Sequence, residues 1–136
     1  MTKKTWTITS ILDIPSLEVE AESFIKAVEK VKDKLSYADL HGADLSNADL
    51  SNADLRGADL ESSNLSGADL DYADLSGADL SYAHLDYAHL ESADLSETNF
   101  DYAHLSGAKV DYADFSGAIL HGADFSGTDL DYAYFE

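Results

Sequence analysis

The chain has 136 residues, a formal charge of −19 and no cysteine. The missing thiols exclude disulfides and thiolate metal centres, and the acid excess disfavours nucleic acid and anionic membranes as ligands while favouring basic proteins. No stretch reaches membrane-spanning length and the N-terminus (Met1, Thr2, Lys3, Lys4, Thr5, Trp6) lacks the apolar run of a signal peptide, so a soluble cytoplasmic protein is expected.

Residues 1–35 read as a small ββα segment. Residues 6–12, from Trp6 to Leu12, have strand composition, and residues 13–16, around Pro15, read as a turn. Residues 17–21 alternate like a second strand. Residues 22–35 then suit a helix with Ser23 as its N-cap, because Phe24, Ala27, Val28, Val31 and Leu35 fall on one stripe. The expected role of that stripe is to cap the tract beginning at Ser36. Six acids and six lysines cancel within this segment.

From Ser36 the sequence has a period of five with no insertion. Every fifth residue from Leu40 to Phe135 is large and apolar: fifteen leucines, Phe100, Phe115, Phe125, Phe135 and Val110. Two residues before each stands Ala, replaced only by Ser63, Thr98 and Thr128. A period of five fits neither a helix nor a flat strand. It fits a coil that turns a corner every five residues and closes after four sides, so that positions 20 apart stack at ~4.8 Å. The large and small apolar residues fill a narrow interior, and the other three positions face water.

Units such as Ala38-Asp39-Leu40-His41-Gly42 and Ala43-Asp44-Leu45-Ser46-Asn47 carry the pattern. The tract resembles the pentapeptide-repeat family over about 100 residues. The resemblance implies a mostly β fold: a right-handed quadrilateral parallel β-helix, here of about five coils without side loops, over residues 36–136. It also implies function, because some members look like duplex DNA and bind DNA gyrase, inhibiting it or protecting it from quinolones. This chain is shorter than most of those relatives, has no projecting loop, and begins with a ββα segment unlike theirs.

The 21 acids of residues 36–136 face only Arg56 and Lys109, which places the whole −19 on the repeat tract. Part of that charge follows the fold, since Asp or Asn commonly precedes the large apolar residue in the family pattern. The position after it is freer, yet Asp71, Glu91, Asp111 and Asp131 form one column there, beside a second column of Asp54, Asp74, Asp94 and Asp114. Stacked like charges cost roughly 0.2–1 kcal/mol per neighbour pair, which suggests a use for them. Five coils span ~24 Å, and duplex DNA of that length carries ~14 charges. The expectation is a DNA mimic that inhibits or protects a basic DNA-binding enzyme, either gyrase or another topoisomerase, or a restriction or CRISPR nuclease countered by a phage or plasmid. The alternative is a scaffold or interaction module whose acids serve solubility.

Seven tyrosines (37, 72, 82, 87, 102, 112 and 132) share one repeat position, two after the large apolar residue. Tyr72, Tyr112 and Tyr132 follow the acids of the first column and are candidate contact residues. Tyr82 over Tyr102, and Tyr112 over Tyr132, are spaced to stack instead. His84 and His104 are one coil apart and able to touch, but no closed donor set is evident and no metal or cofactor is expected. No nucleophile–base pair or phosphate loop stands out, so catalysis is not expected. Flat threonine arrays, as in ice binding, are also absent. The last residues, Tyr134-Phe135-Glu136, close a repeat with no further helix. With Ile119 and Tyr134 outward, the last coil suits an end-to-end homodimer through Ile119, Leu120, Phe125, Leu130, Tyr134 and Phe135.

Overall fold

The computed structural model describes residues 2–136. The repeat tract forms a stacked coil in which each turn consumes 20 residues. Parallel bridges join residues 20 apart: Asp39 to Asp59, Asp59 to Asp79, Asp54 to Asp74, Asp74 to Asp94, and so on. Each repeat uses its amides in the same way. The N–H before the large residue points back (Asp59 N to Ala38 O, 2.9 Å), and the N–H of the large residue points forward (Leu40 N to Asp59 O, 2.8 Å). The corner N–H also points forward (Gly42 N to Glu61 O, 2.9 Å). A tight turn closes each corner, as in Ala43 N to Leu40 O at 3.0 Å.

These corners explain the residue two after each leucine. From residue 37 to residue 127, every fifth residue has φ between 57° and 71°. This is the third position of a type II turn, which favours Gly and Asn. Gly42, Gly57, Asn47 and Asn52 fit it, but Tyr and Glu do so only at a cost of roughly 1–2 kcal/mol.

The interior is a single column of apolar side chains. Leu40 to Leu95, Phe100, Leu105, Val110 and Phe115 are fully buried at every fifth position, with the small residues between them. The column continues without a break into Ala27, Val28 and Leu35 of the N-terminal segment.

That segment contains β1 (Lys4–Ile8) and β2 (Leu17–Ala21), paired antiparallel with Trp6 opposite Val19. Helix α1 (Phe24–Lys30) follows, its Ser23 hydroxyl accepting the Lys26 amide at 3.2 Å. The second strand and the N-cap are as the sequence reads, while the first strand begins two residues earlier and ends four earlier than the expected 6–12, and the helix is shorter than 22–35. Beyond the end of β1, Thr9 and Ser10 meet the first coil, where Asp39 N donates to Thr9 O at 2.8 Å and Ser10 bridges Ala38. Val31 breaks the helix at φ −118°, and a 3-10 turn (Lys32–Lys34) brings Lys32 O to Asp54 N at 2.8 Å. Glu29 Oε2 accepts the Asp49 amide at 2.6 Å. Three backbone donors that a preceding coil would otherwise take are therefore satisfied. Among the described residues, no helix is long and apolar enough to cross a membrane.

Candidate functional site

The acids fall into two chemical groups. An Asp or Asn before a leucine accepts the N–H of the residue two further on: Ser76 N to Asp74 at 3.0 Å, Ser96 N to Asp94 at 3.0 Å, Ser116 N to Asp114 at 2.8 Å. Where that residue is Ser, its hydroxyl often donates to the same oxygen, at 2.7 Å to Asp74 and 2.6 Å to Asp94. This local turn is the physical reason for Asx at the position. It holds Asp44 below its ordinary value through the Ser46 hydroxyl, and takes Asp49 down to about 2 through Ser51 and then Lys32. Asp124 is lowered likewise, first by the Ser126 hydroxyl.

The acids after the large residue have no such part in the turn. Asp71, Glu91 and Asp111 stand on one side of a corner, with Asp74, Asp94 and Asp114 three residues further on across it, all half-buried. Asp131 continues the first column on the exposed last coil. The two expected columns thus flank one edge of the rod. Among the described residues, Asp71, Glu91, Asp94, Asp111, Asp114 and Asp131 make no salt bridge. Asp54 differs, because Arg56 grips it through Nη2 at 2.7 Å and Nε at 2.8 Å, lowering its pKa, and extends toward Asp74 at 3.9 Å. The edge is therefore neutralised near residue 54 and unneutralised further along. Asp71 has one structural contact of its own. His89 replaces the usual Asx acceptor, and Asp71 Oδ1 takes the Glu91 amide across coils at 2.8 Å.

The tyrosines divide as well. Tyr37 and Tyr87 lie over the corner glycines of the next coil, where a Cβ at Gly57 or Gly107 would come within 2.3 or 2.7 Å of a ring carbon. Tyr102 covers Gly122 likewise and stacks on Tyr82 at 5.3 Å and 13°. These rings pack the rod. Tyr72 and Tyr112 sit on the acidic edge with φ of 61° and 63° and are 66% and 69% exposed; Tyr87 is as exposed, at 72%, so what separates them is the absence of a glycine under the ring. Their backbone strain is not offset by a glycine beneath. Tyr132 lies 5.6 Å from Tyr112, tilted by 34°. Its corner is different: Tyr112 N donates to Tyr132 O at 3.1 Å, where earlier corners use the preceding carbonyl, as in Tyr72 N to Glu91 O.

The candidate dimer residues gather on the last coil. Phe115 stacks on Phe135 at 4.9 Å and meets Phe125 edge-on at 5.9 Å. Leu120, Phe125 and Leu130 are half-buried, while Ile119, Tyr134 and Phe135 are exposed. The coil-to-coil bridges include no Lys109–Asp129 step, so this coil is less tightly held on that side.

Sequence reasoning missed the Arg56–Asp54 clamp and the Asp71–Glu91 link. The first has a readable signal, a lone Arg two residues after an Asp. The second could be read from His89, a residue that cannot serve as the turn acceptor for Glu91.

A coil of 20 residues, filled by Leu and Ala and bridged in parallel to its neighbours, defines a β-solenoid of the β-helix type. The family profile described as pentapeptide repeats matches residues 34–71, 73–110 and 98–136, and the chain belongs to that family. A pentapeptide repeat protein from the thylakoid lumen of Arabidopsis thaliana superposes with a TM-score of 0.72 at 35% identity, over 75% of this chain and 72% of that one. The pentapeptide repeat protein Rfr23 of the cyanobacterium Cyanothece 51142 gives 0.50 at 31% identity, over 65% of each. QnrB1, a plasmid-mediated fluoroquinolone resistance protein, superposes only loosely, with a TM-score of 0.36 at 26% identity, over 71% of this chain and 65% of that one. No curated protein matches.

Proposed function

We propose that this chain is a non-catalytic DNA mimic, which occupies the DNA-binding groove of a basic enzyme and inhibits or protects it. The observation that carries the reading is the edge running from Asp71 to Asp131. There, carboxylates that, apart from Asp74, have no cationic partner among the described residues flank strained, exposed Tyr72 and Tyr112. Stacked charge at ~4.8 Å spacing suits a groove built for a phosphate backbone, and exposed tyrosine supplies contact area at low entropy cost. DNA gyrase is the first candidate partner, and a restriction or CRISPR nuclease is the second. The same reading takes residues 1–35 as the cap of a right-handed, four-sided helix of about five coils over residues 36–136. It takes the last coil as a homodimer surface and the cytoplasm as the place of action.

The test is capture from a bacterial lysate on the immobilised chain at low salt, followed by elution with short duplex DNA. A topoisomerase or nuclease released by DNA, with binding that falls steeply as salt rises, supports mimicry. Release of nothing, or only of proteins indifferent to DNA, defeats it. One observation favours the alternative, a scaffold with an acidic solubility surface: the Asx residues before the leucines are accounted for by turn formation alone.

A further inference from the structure

We propose that His41, Asp59 and Glu61 form a binding site for one divalent first-row transition ion of the zinc class, joining the first two coils. The register builds the cluster. His41 and Glu61 are 20 apart and hold the same position in successive coils, while Asp59 precedes Glu61 by two on the same side. The His41 Nδ1 lies 3.7 Å from Glu61 Oε2 and 3.9 Å from Asp59 Oδ1, and one donor atom from each residue falls within 4.8 Å of the others. These separations are too long for hydrogen bonds. The two distances from His41 are close to the ~3.4 Å that separates ligands bound tetrahedrally at 2.0–2.2 Å, so side-chain movement alone, on the order of an ångström, would close the site.

The donor chemistry fits such an ion. One neutral imidazole and two carboxylates supply the nitrogen and oxygen that zinc, cobalt and nickel accept, and they match a double positive charge. A fourth position is left for water. Asp59 is held in place, because its Oδ1 accepts the Glu61 amide at 3.0 Å. Orientation of a ligand by such a neighbour is a recurring feature of metal centres. Beside His41 the corner is Gly42, where an added Cβ would meet nothing within 4 Å, so no neighbouring side chain crowds that corner.

The other histidines do not offer this. His84 and His104 stack face to face at 4.7 Å and 17°, which points their ring nitrogens along parallel planes rather than at a common point. His84 has a single carboxylate nearby, Asp86 at 3.9 Å. Among the described residues, His41, Asp59 and Glu61 are the one group of three donors that meets. The sequence spacing draws attention to the wrong pair, because it shows stacking but not convergence.

The experiment is a Co(II) titration of the full chain stripped with chelator, in moderate salt with excess Mg(II) to occupy diffuse acidic positions. It is followed by visible absorption and by displacement with Zn(II). One equivalent of Co(II) should develop a ligand-field band that Zn(II) removes. His41→Asn should abolish it. Asp59→Asn and Glu61→Gln should each weaken binding by at least about tenfold, the scale on which loss of even an outer partner acts. His104→Asn should leave it unchanged. Zn(II) should also raise the melting temperature of the wild type and not of His41→Asn, whose exposed position takes Ser or Glu elsewhere in the rod. The proposal is overturned if no band forms at one equivalent, if His41→Asn retains it, or if His104→Asn removes it.

Discussion

Two stretches of the rod obey the same repeat rule and treat charge in opposite ways. At the corner through Asp71–Asp74 and Asp111–Asp114, acids follow the leucine or valine, tyrosine turns the chain, and another acid precedes the next large residue. A quarter-turn on, serine follows the leucine, and Ser76 and Ser96 donate their hydroxyls to Asp74 and Asp94. Gly77 turns the first of those corners. Both corners fold. The difference shows that an acceptor before the leucine serves the turn and an acid after it does not, although the corners after His89, Lys109 and Ile119 close without that acceptor.

Breaking that comparison at its functional side should give the largest effect. Glu91→Lys combined with Asp111→Lys is expected to weaken binding of a captured DNA enzyme by about 100-fold or more, since like charges set against a basic groove cost several kcal/mol. The same double change should leave the melting temperature equal or higher, by relief of stacked repulsion. Titration of the partner and a thermal melt read the two halves separately.

The next effect is steric. Gly57→Ala must displace the Tyr37 ring, 2.3 Å from the new Cβ, and also place Ala at φ 63°. Gly77→Ala meets nothing within 4 Å and bears the φ cost alone, roughly 1–2 kcal/mol. Chemical denaturation should rank Gly57→Ala as the less stable, and equal losses would refute the ring-on-glycine account.

A smaller contrast isolates the turn acceptors. Asp94→Ala removes the acceptor of the Ser96 amide and hydroxyl and should cost about 1–2 kcal/mol. Asp111→Ala should cost nothing or stabilise by about 0.2–1 kcal/mol. Urea midpoints at neutral pH separate them.

The smallest effect is on pH dependence. Asp49 is depressed to about 2 from 3.8, so its contribution to stability is complete above the ordinary carboxylate range and is lost as pH falls through about 2. Ser51→Ala raises that pKa. The variant should be slightly less stable than the wild type at neutral pH and indistinguishable at the acid end of a denaturation series.

The core was legible in the sequence because a five-residue period leaves one arrangement for Leu and Ala. The second strand and the Ser23 cap were legible for similar local reasons. The ends of β1 and α1 were not, since Thr9, Glu29 and Lys32 turn aside to serve amides of Asp39, Asp49 and Asp54, partners distant in the chain. The acidic columns could be placed by counting in twenties, and so could the Tyr82–Tyr102 and His84–His104 stacks. Counting also pairs Tyr37, Tyr87 and Tyr102 with Gly57, Gly107 and Gly122, but it could not show that the rings lie down on those glycines, or that Arg56 closes on Asp54. Those depend on the direction in which a side chain leaves its corner. The same limit hid His41, Asp59 and Glu61, whose convergence needs two different repeat positions taken together.

The twenty-residue turn also has a mechanical consequence. Each coil is held only by its neighbours, and the first is anchored through Thr9, Glu29 and Lys32. A force applied at the last coil should therefore open the chain as a zipper, beginning on the side where the Lys109–Asp129 bridge is missing. Each step would release about 70 Å of extended chain. A pull on the first coil would instead meet the contacts of Thr9, Glu29 and Lys32 at once, so resistance should differ between that coil and the one lacking the bridge.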